Sequence, residues 1–71
     1  MPGMSQERVV RVTQRTGMWL AWTDSEEIQW FGSEAEALQW AMLWAFTERP
    51  ARAELVRAED ASREVVCRYT A

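Results

Sequence analysis

The side chains that could do chemistry in this chain are carboxylates, guanidiniums, tryptophans and a single thiol; there is no His and no Lys. The acids fall in three groups, Glu26-Glu27, Glu34 with Glu36, and Glu59-Asp60. General acid–base catalysis needs two carboxylates whose environments hold them in different protonation states. The first and last groups lie in polar, turn-like stretches, and the middle one lies where a helix begins and negative charge complements its dipole. A catalytic pair is therefore not expected. Cys67 has no base to activate it, and without His there is neither a zinc ligand set nor a Ser–His or Cys–His dyad. The three glycines, Gly3, Gly17 and Gly32, are too scattered for a phosphate-cradling loop. The reading is a non-enzyme with no cofactor and no metal.

Arginine and tryptophan are the residues left with binding potential. Eight arginines face eleven acids, for a net charge of −3, which argues against wholesale wrapping of nucleic acid. Arg11 and Arg15 lie on a first strand and Arg68 on a last one. If they share a sheet face with Trp22, they form an aromatic-plus-Arg platform of the kind used for single strands. Five residues are Trp, namely Trp19, Trp22, Trp30, Trp40 and Trp44. Each buried Trp removes about 150–250 Å² from water, worth about 4–6 kcal/mol before entropy. That matters in a 71-residue chain with one Cys and so no internal disulfide.

The elements that must position these residues follow from the pattern. Arg8 to Arg15 is β-branched and ends before Gly17, so it reads as a strand. Met18 to Thr23 and Ile28 to Phe31 are two more, joined by the polar turn Asp24-Ser25-Glu26-Glu27. Ser33-Glu34-Ala35-Glu36 has the spacing of a capping box and opens a helix that runs to about Glu48, ahead of Pro50. Ala53 to Arg57 and Glu64 to Tyr69 complete the order β-β-β-α-β-β. The expected fold is α+β, one helix packed on an antiparallel sheet, forming a single domain over 1–71 with an ordered core of about 8–70.

Pairing Thr23 with Ile28 puts Trp19, Ala21, Ile28 and Trp30 on one side of the hairpin and Met18, Leu20, Trp22 and Phe31 on the other. Both sides are apolar, yet one helix covers only one of them. On the helix, Leu38, Ala41, Met42 and Ala45 make the usual stripe, and Trp40, Leu43, Trp44 and Phe46 widen it. This surplus of apolar surface is expected to be hidden by self-association into a homodimer through Leu20, Trp22 and Phe31 or through Trp40, Leu43 and Trp44. The chain then reads as a small interaction module that binds another macromolecule, such as a host or phage protein. An alternative is an inhibitor that occludes a host protein with Glu26, Glu27, Glu34, Glu59 and Asp60 clustered on one side, in the manner of small anti-defence proteins. The single-strand platform of Arg and Trp is a further alternative.

Gly17-Met18-Trp19, Phe31-Gly32-Ser33-Glu34-Ala35-Glu36-Ala37, Glu54-Leu55-Val56 and the terminal Tyr69 together resemble a short bacterial and phage domain of unknown function. Its pattern is G-x-W, then F-x-[ST]-x-x-E-A, then E-L-V and a late Tyr. The chain departs from it at Asp60-Ala61-Ser62, where D-G is usual, and at Arg57, where a His is usual. The resemblance implies the β-β-β-α-β-β layout and a small accessory or inhibitory role, and it supplies no activity. The longest apolar run, Trp40 to Phe46, is far short of a membrane span, and Met1-Pro2-Gly3-Met4 has no signal character, so a cytoplasmic setting is expected.

Overall fold

The structure, a computed structural model, describes residues 6–70. Its elements are β1 (Arg8–Arg15), β2 (Met18–Thr23), β3 (Ile28–Phe31), α1 (Glu34–Thr47), β4 (Ala51–Val56) and β5 (Arg63–Tyr69). They form one helix on a five-stranded sheet of order β3-β2-β1-β4-β5. The α+β class and the element order are as the residues imply. The sheet, however, is mixed: β1 pairs with β4 in parallel, whereas the other three pairings are antiparallel. The physical reason is the crossover. After β3 the helix carries the chain back across the sheet, so β4 starts beside the start of β1 and runs with it. The Arg8 N–H donates to the Pro50 carbonyl at 2.8 Å, which draws β4 two residues earlier than its β-rich pattern suggested.

Two tight connections set the hairpins. Thr16 (φ 51°) and Gly17 (φ 79°) both take left-handed geometry between the paired residues Arg15 and Met18, as a two-residue primed turn requires. Between β2 and β3 the loop is shorter than expected. The Thr23 N–H donates to the Glu27 carbonyl at 3.0 Å, and Glu26 takes φ 68° to close a three-residue loop. The Thr23 hydroxyl oxygen completes it, accepting the N–H groups of Ser25 and Glu27. Thus Trp22, not Thr23, lies opposite Ile28, and Leu20 lies opposite Trp30. The one-residue slip turns every β3 side chain to the other face. Phe31 therefore belongs to the helix side, and Ile28 and Trp30 to the open side, the reverse of the expected assignment.

Helix α1 starts at a Ser33 cap whose hydroxyl accepts the Glu36 N–H at 3.2 Å. It rests on the sheet through a seam of alanines, Ala37, Ala41 and Ala45, at the i, i+4 spacing that stacks along one face. These meet Val10 and Val12 of β1, Ala21 of β2, and Ala51 and Ala53 of β4, all fully buried. Small residues on both layers let the helix come close, and the large side chains are pushed to the rim. Trp19, Phe31, Leu38, Trp40 and Trp44 pack there, half-buried. Met42, expected in the central stripe, is instead exposed. Among the described residues, no helix is long and apolar enough to cross a membrane.

Candidate interaction surfaces

The register sorts the strands into two faces. Val10 and Val12 of β1 are buried beneath α1, so Arg11, Thr13 and Arg15 face away from it. Their cross-strand neighbours carry the same face outward: Trp22, Leu20 and Met18 on β2, then Ile28 and Trp30 on β3. On the other flank, Glu54 and Val56 of β4 lie beside Arg11 and Thr13, Arg52 lies beside Val9, and Arg63 and Arg68 of β5 continue the same rows. The open face thus has an apolar half over β2 and β3 and a charged half over β1, β4 and β5. Leu20 and Trp22 are where the sequence placed them, and Trp30, 51% exposed, takes the place expected for Phe31.

The charged half is an alternating ladder. The Glu54 carboxylate, in a residue only 5% exposed, accepts Nε of Arg11 at 3.0 Å and Nε of Arg52 at 2.7 Å. Arg52 Nη1 then donates to Glu7 at 2.5 Å, and Arg68 Nε donates to the other Glu7 oxygen at 2.7 Å. Burial pushes the Glu54 carboxyl up, but hydrogen bonds from Arg52 and Arg11 and their charge outweigh it and hold the group below its usual 4.5. The same balance, set by Arg52 and Arg68, holds Glu7 low. Five arginines (11, 15, 52, 63 and 68) face two glutamates (7 and 54) here. Glu26 borders the apolar half beside Trp22 and Ile28, which leaves an excess of two positive charges on one face of a chain whose net charge is −3.

The opposite side of the molecule is the outer surface of α1. From Ala37 to Thr47 the helix contains no charged residue, and Met42, Leu43 and Phe46 project from it exposed, Leu43 at 62%. Phe46 is flanked by the edge-on ring of Tyr69, 5.5 Å between centroids, and by the Arg49 guanidinium, 4.3 Å above its ring. Trp40 and Trp44, expected to line an interface, are half-buried at the core rim. Trp40 packs on Phe31 at 6.0 Å, and Trp44 lies 4.9 Å beneath the Arg8 guanidinium, which also binds Asp24 and Glu48. Only Leu43 of that expected trio is fully on the surface. Met42 and Phe46 were missed as interface residues, although the uncharged run through Thr47 was there to find them.

Of the acidic residues expected to share a side, Glu34 and Glu59 come together, lining one pocket beside Arg57, and the turn acids are parted. Glu26 and Glu27 sit in the β2–β3 turn, near the start of β1. Glu59 and Asp60 sit in the β4–β5 turn, near its end, the length of an eight-residue strand away, or about 25 Å. Asp60 spends its carboxylate on its own turn, accepting the Ser62 N–H at 3.0 Å, and that backbone bond holds its pKa down. The five acids therefore do not form one patch, since Glu26 and Glu27 are parted from Glu59 and its neighbour in the pocket, Glu34. Among the described residues, no group of three or more Cys, Asp or Glu side chains is placed to hold a metal ion. Comparison with protein-family models, with curated proteins and with solved structures finds no match for this chain.

Proposed function

We propose that the protein is a small non-enzymatic interaction module that dimerises through the outer side of α1 and binds another macromolecule with the open face of its sheet. One observation carries this: apolar side chains stand uncovered on both outer sides of the domain, outside its core of valines and alanines. Met42, Leu43 and Phe46 stand on the helix side, and Met18, Ile28 and Trp30 on the sheet side. Charge then decides which side pairs with itself. Two sheet faces stacked together would oppose two surpluses of positive charge, which is unfavourable. Two helices meet no such penalty. Set antiparallel about a two-fold axis between Met42 and Leu43, they bring Gln39 beside the partner's Phe46. They also bring Glu36 beside the partner's Arg49, an opposite-charge pair at each end of an uncharged seam. The same reading keeps the protein in the cytoplasm, with Cys67 reduced, in the accessory role that its family resemblance implies.

Sedimentation equilibrium across a dilution series tests the dimer, with Leu43→Glu as the variant. Leu43 is exposed enough for the change to spare the fold, which circular dichroism checks. The wild type should sediment at twice 8.3 kDa and Leu43→Glu at 8.3 kDa, whereas Trp30→Ala on the sheet side should stay dimeric. A monomeric wild type, or a Leu43→Glu variant that still dimerises, removes the proposal.

A further inference from the structure

We infer that the open sheet face is a binding site for single-stranded nucleic acid, with Trp22 and Trp30 stacking bases and the arginine ladder taking the phosphates. This deepens the preceding reading, since it names the partner for the face that dimerisation leaves uncovered. The first support is charge placement. A chain with net charge −3 has gathered five of its eight arginines on one face with only Glu7, Glu26 and Glu54 of its eleven acids, so an anionic ligand is steered to that face. The second is how the guanidiniums are held. Glu54 and Glu7 grip Arg11 and Arg68 by Nε alone, and among the described residues neither arginine spends an Nη group. A guanidinium has five N–H donors, so each keeps a two-pronged end free for a phosphate oxygen pair. The carboxylates thus orient the arginines and do not consume them.

The third support is what lies beside the ladder. Trp22 is the direct cross-strand neighbour of Arg11, and Trp30 lies diagonally beyond it on β3. Two aromatic residues on adjacent strands, with cations one strand away, suit bases splayed from an extended backbone. Paired bases in a duplex offer no free faces to such a surface. An acidic protein segment is the competing occupant by charge. It supplies nothing flat for two tryptophans to stack on, and Trp22 and Trp30 are the largest side chains of the apolar half.

Fluorescence anisotropy of labelled oligo-dT and oligo-U dodecamers, with the full chain, tests this. Three to five phosphate contacts on a single strand predict a loss of affinity of about 20- to 100-fold between about 50 and about 200 mM salt. Trp30→Ala, at an exposed site that spares the fold, should weaken both oligomers about ten-fold with the salt slope unchanged. Arg15→Gln and Arg63→Gln should each flatten the slope by about 0.7. The inference is overturned by no binding at the lower salt. It is equally overturned if a blunt duplex binds as tightly as the single strands, or if poly-L-glutamate competes as well per charge, which would assign the face to an acidic protein. The Leu43→Glu monomer separates the two proposals: sedimentation reads the dimer and anisotropy reads the sheet face, so each can fail alone.

Discussion

Replacing Glu54 with Gln tests whether ordered charge, and not apolar packing alone, builds the open face. The substitution keeps the shape and one acceptor oxygen and removes the charge. In the native protein the carboxylate takes hydrogen bonds from Arg11 at 3.0 Å and Arg52 at 2.7 Å. Breaking a fully buried pair costs about 3–5 kcal/mol, but here both arginines keep roughly a quarter of their side-chain surface in water and recover part of the loss. The Gln amide keeps one acceptor oxygen for one arginine, whose bond loses its anionic acceptor, and turns an N–H toward the other, whose bond is lost. At about 1 kcal/mol each, this gives a destabilisation of about 2 kcal/mol. With a urea slope of about 1 kcal/mol/M for a chain this small, the midpoint should fall by about 2 M. The pH dependence follows from the depressed carboxyl. A group whose folded value lies below its unfolded one stabilises the protein above the usual 4.5 and loses that contribution as pH falls through the folded value. The gap between wild type and Glu54→Gln should therefore be full at neutral pH, narrow below 4.5, and close once pH has fallen below the folded value. Urea titrations followed by Trp fluorescence, at one protein concentration because dimerisation couples to stability, measure both. A gap under about 0.5 kcal/mol at neutral pH, or one independent of pH, would show that the Glu54 charge does not stabilise this face.

Two further substitutions test the fold itself. Thr16 is β-branched at φ 51°, which costs about 1–2 kcal/mol, and Asn before Gly17 is the residue that turn prefers. Thr16→Asn should raise the melting temperature by about 4–8 °C for each kcal/mol recovered, and a lower melting temperature would show that the Thr16 hydroxyl bond to the Arg15 carbonyl outweighs the strain. Ala41→Leu forces a larger side chain into the closed seam between α1 and β1, so it should destabilise by at least about 1–3 kcal/mol; an unchanged urea midpoint would mean that the seam has slack.

Most of the backbone plan was legible because its signals are local. Ser33 three residues before Glu36, Pro50 after the last helical turn, and β-branched runs bounded by Gly17 each act within a few residues. The β2–β3 register was not, because the left-handed position that shortens the loop is held by Glu26 and not by Gly, and its stabiliser is a Thr23 side chain. That single slip decided which of Trp30 and Phe31 belongs to the candidate site. The parallel β1–β4 pairing and the Glu54 ladder were hidden for a different reason. Apart from the local Arg52–Glu54 bond, they join residues 43 to 61 apart, and nothing in either local stretch records the partner. Pattern also misjudged α1: so apolar a helix reads as wide-faced, whereas its alanine seam is what meets the sheet.

The central pairing of β1 with β4 has a kinetic consequence. The strands at the middle of the sheet meet only after the chain has closed a loop of more than half its length, and β5 has nothing to pair with until β4 has docked. The β1–β2–β3 meander can form early, but without β4 and α1 it buries neither Val10 nor Val12. Such a topology is rich in non-local contacts for its size, which favours all-or-none folding on the slower side for a small domain. Fragments cut anywhere between β3 and β4 should then be unstructured alone, and the two pieces should regain structure when mixed.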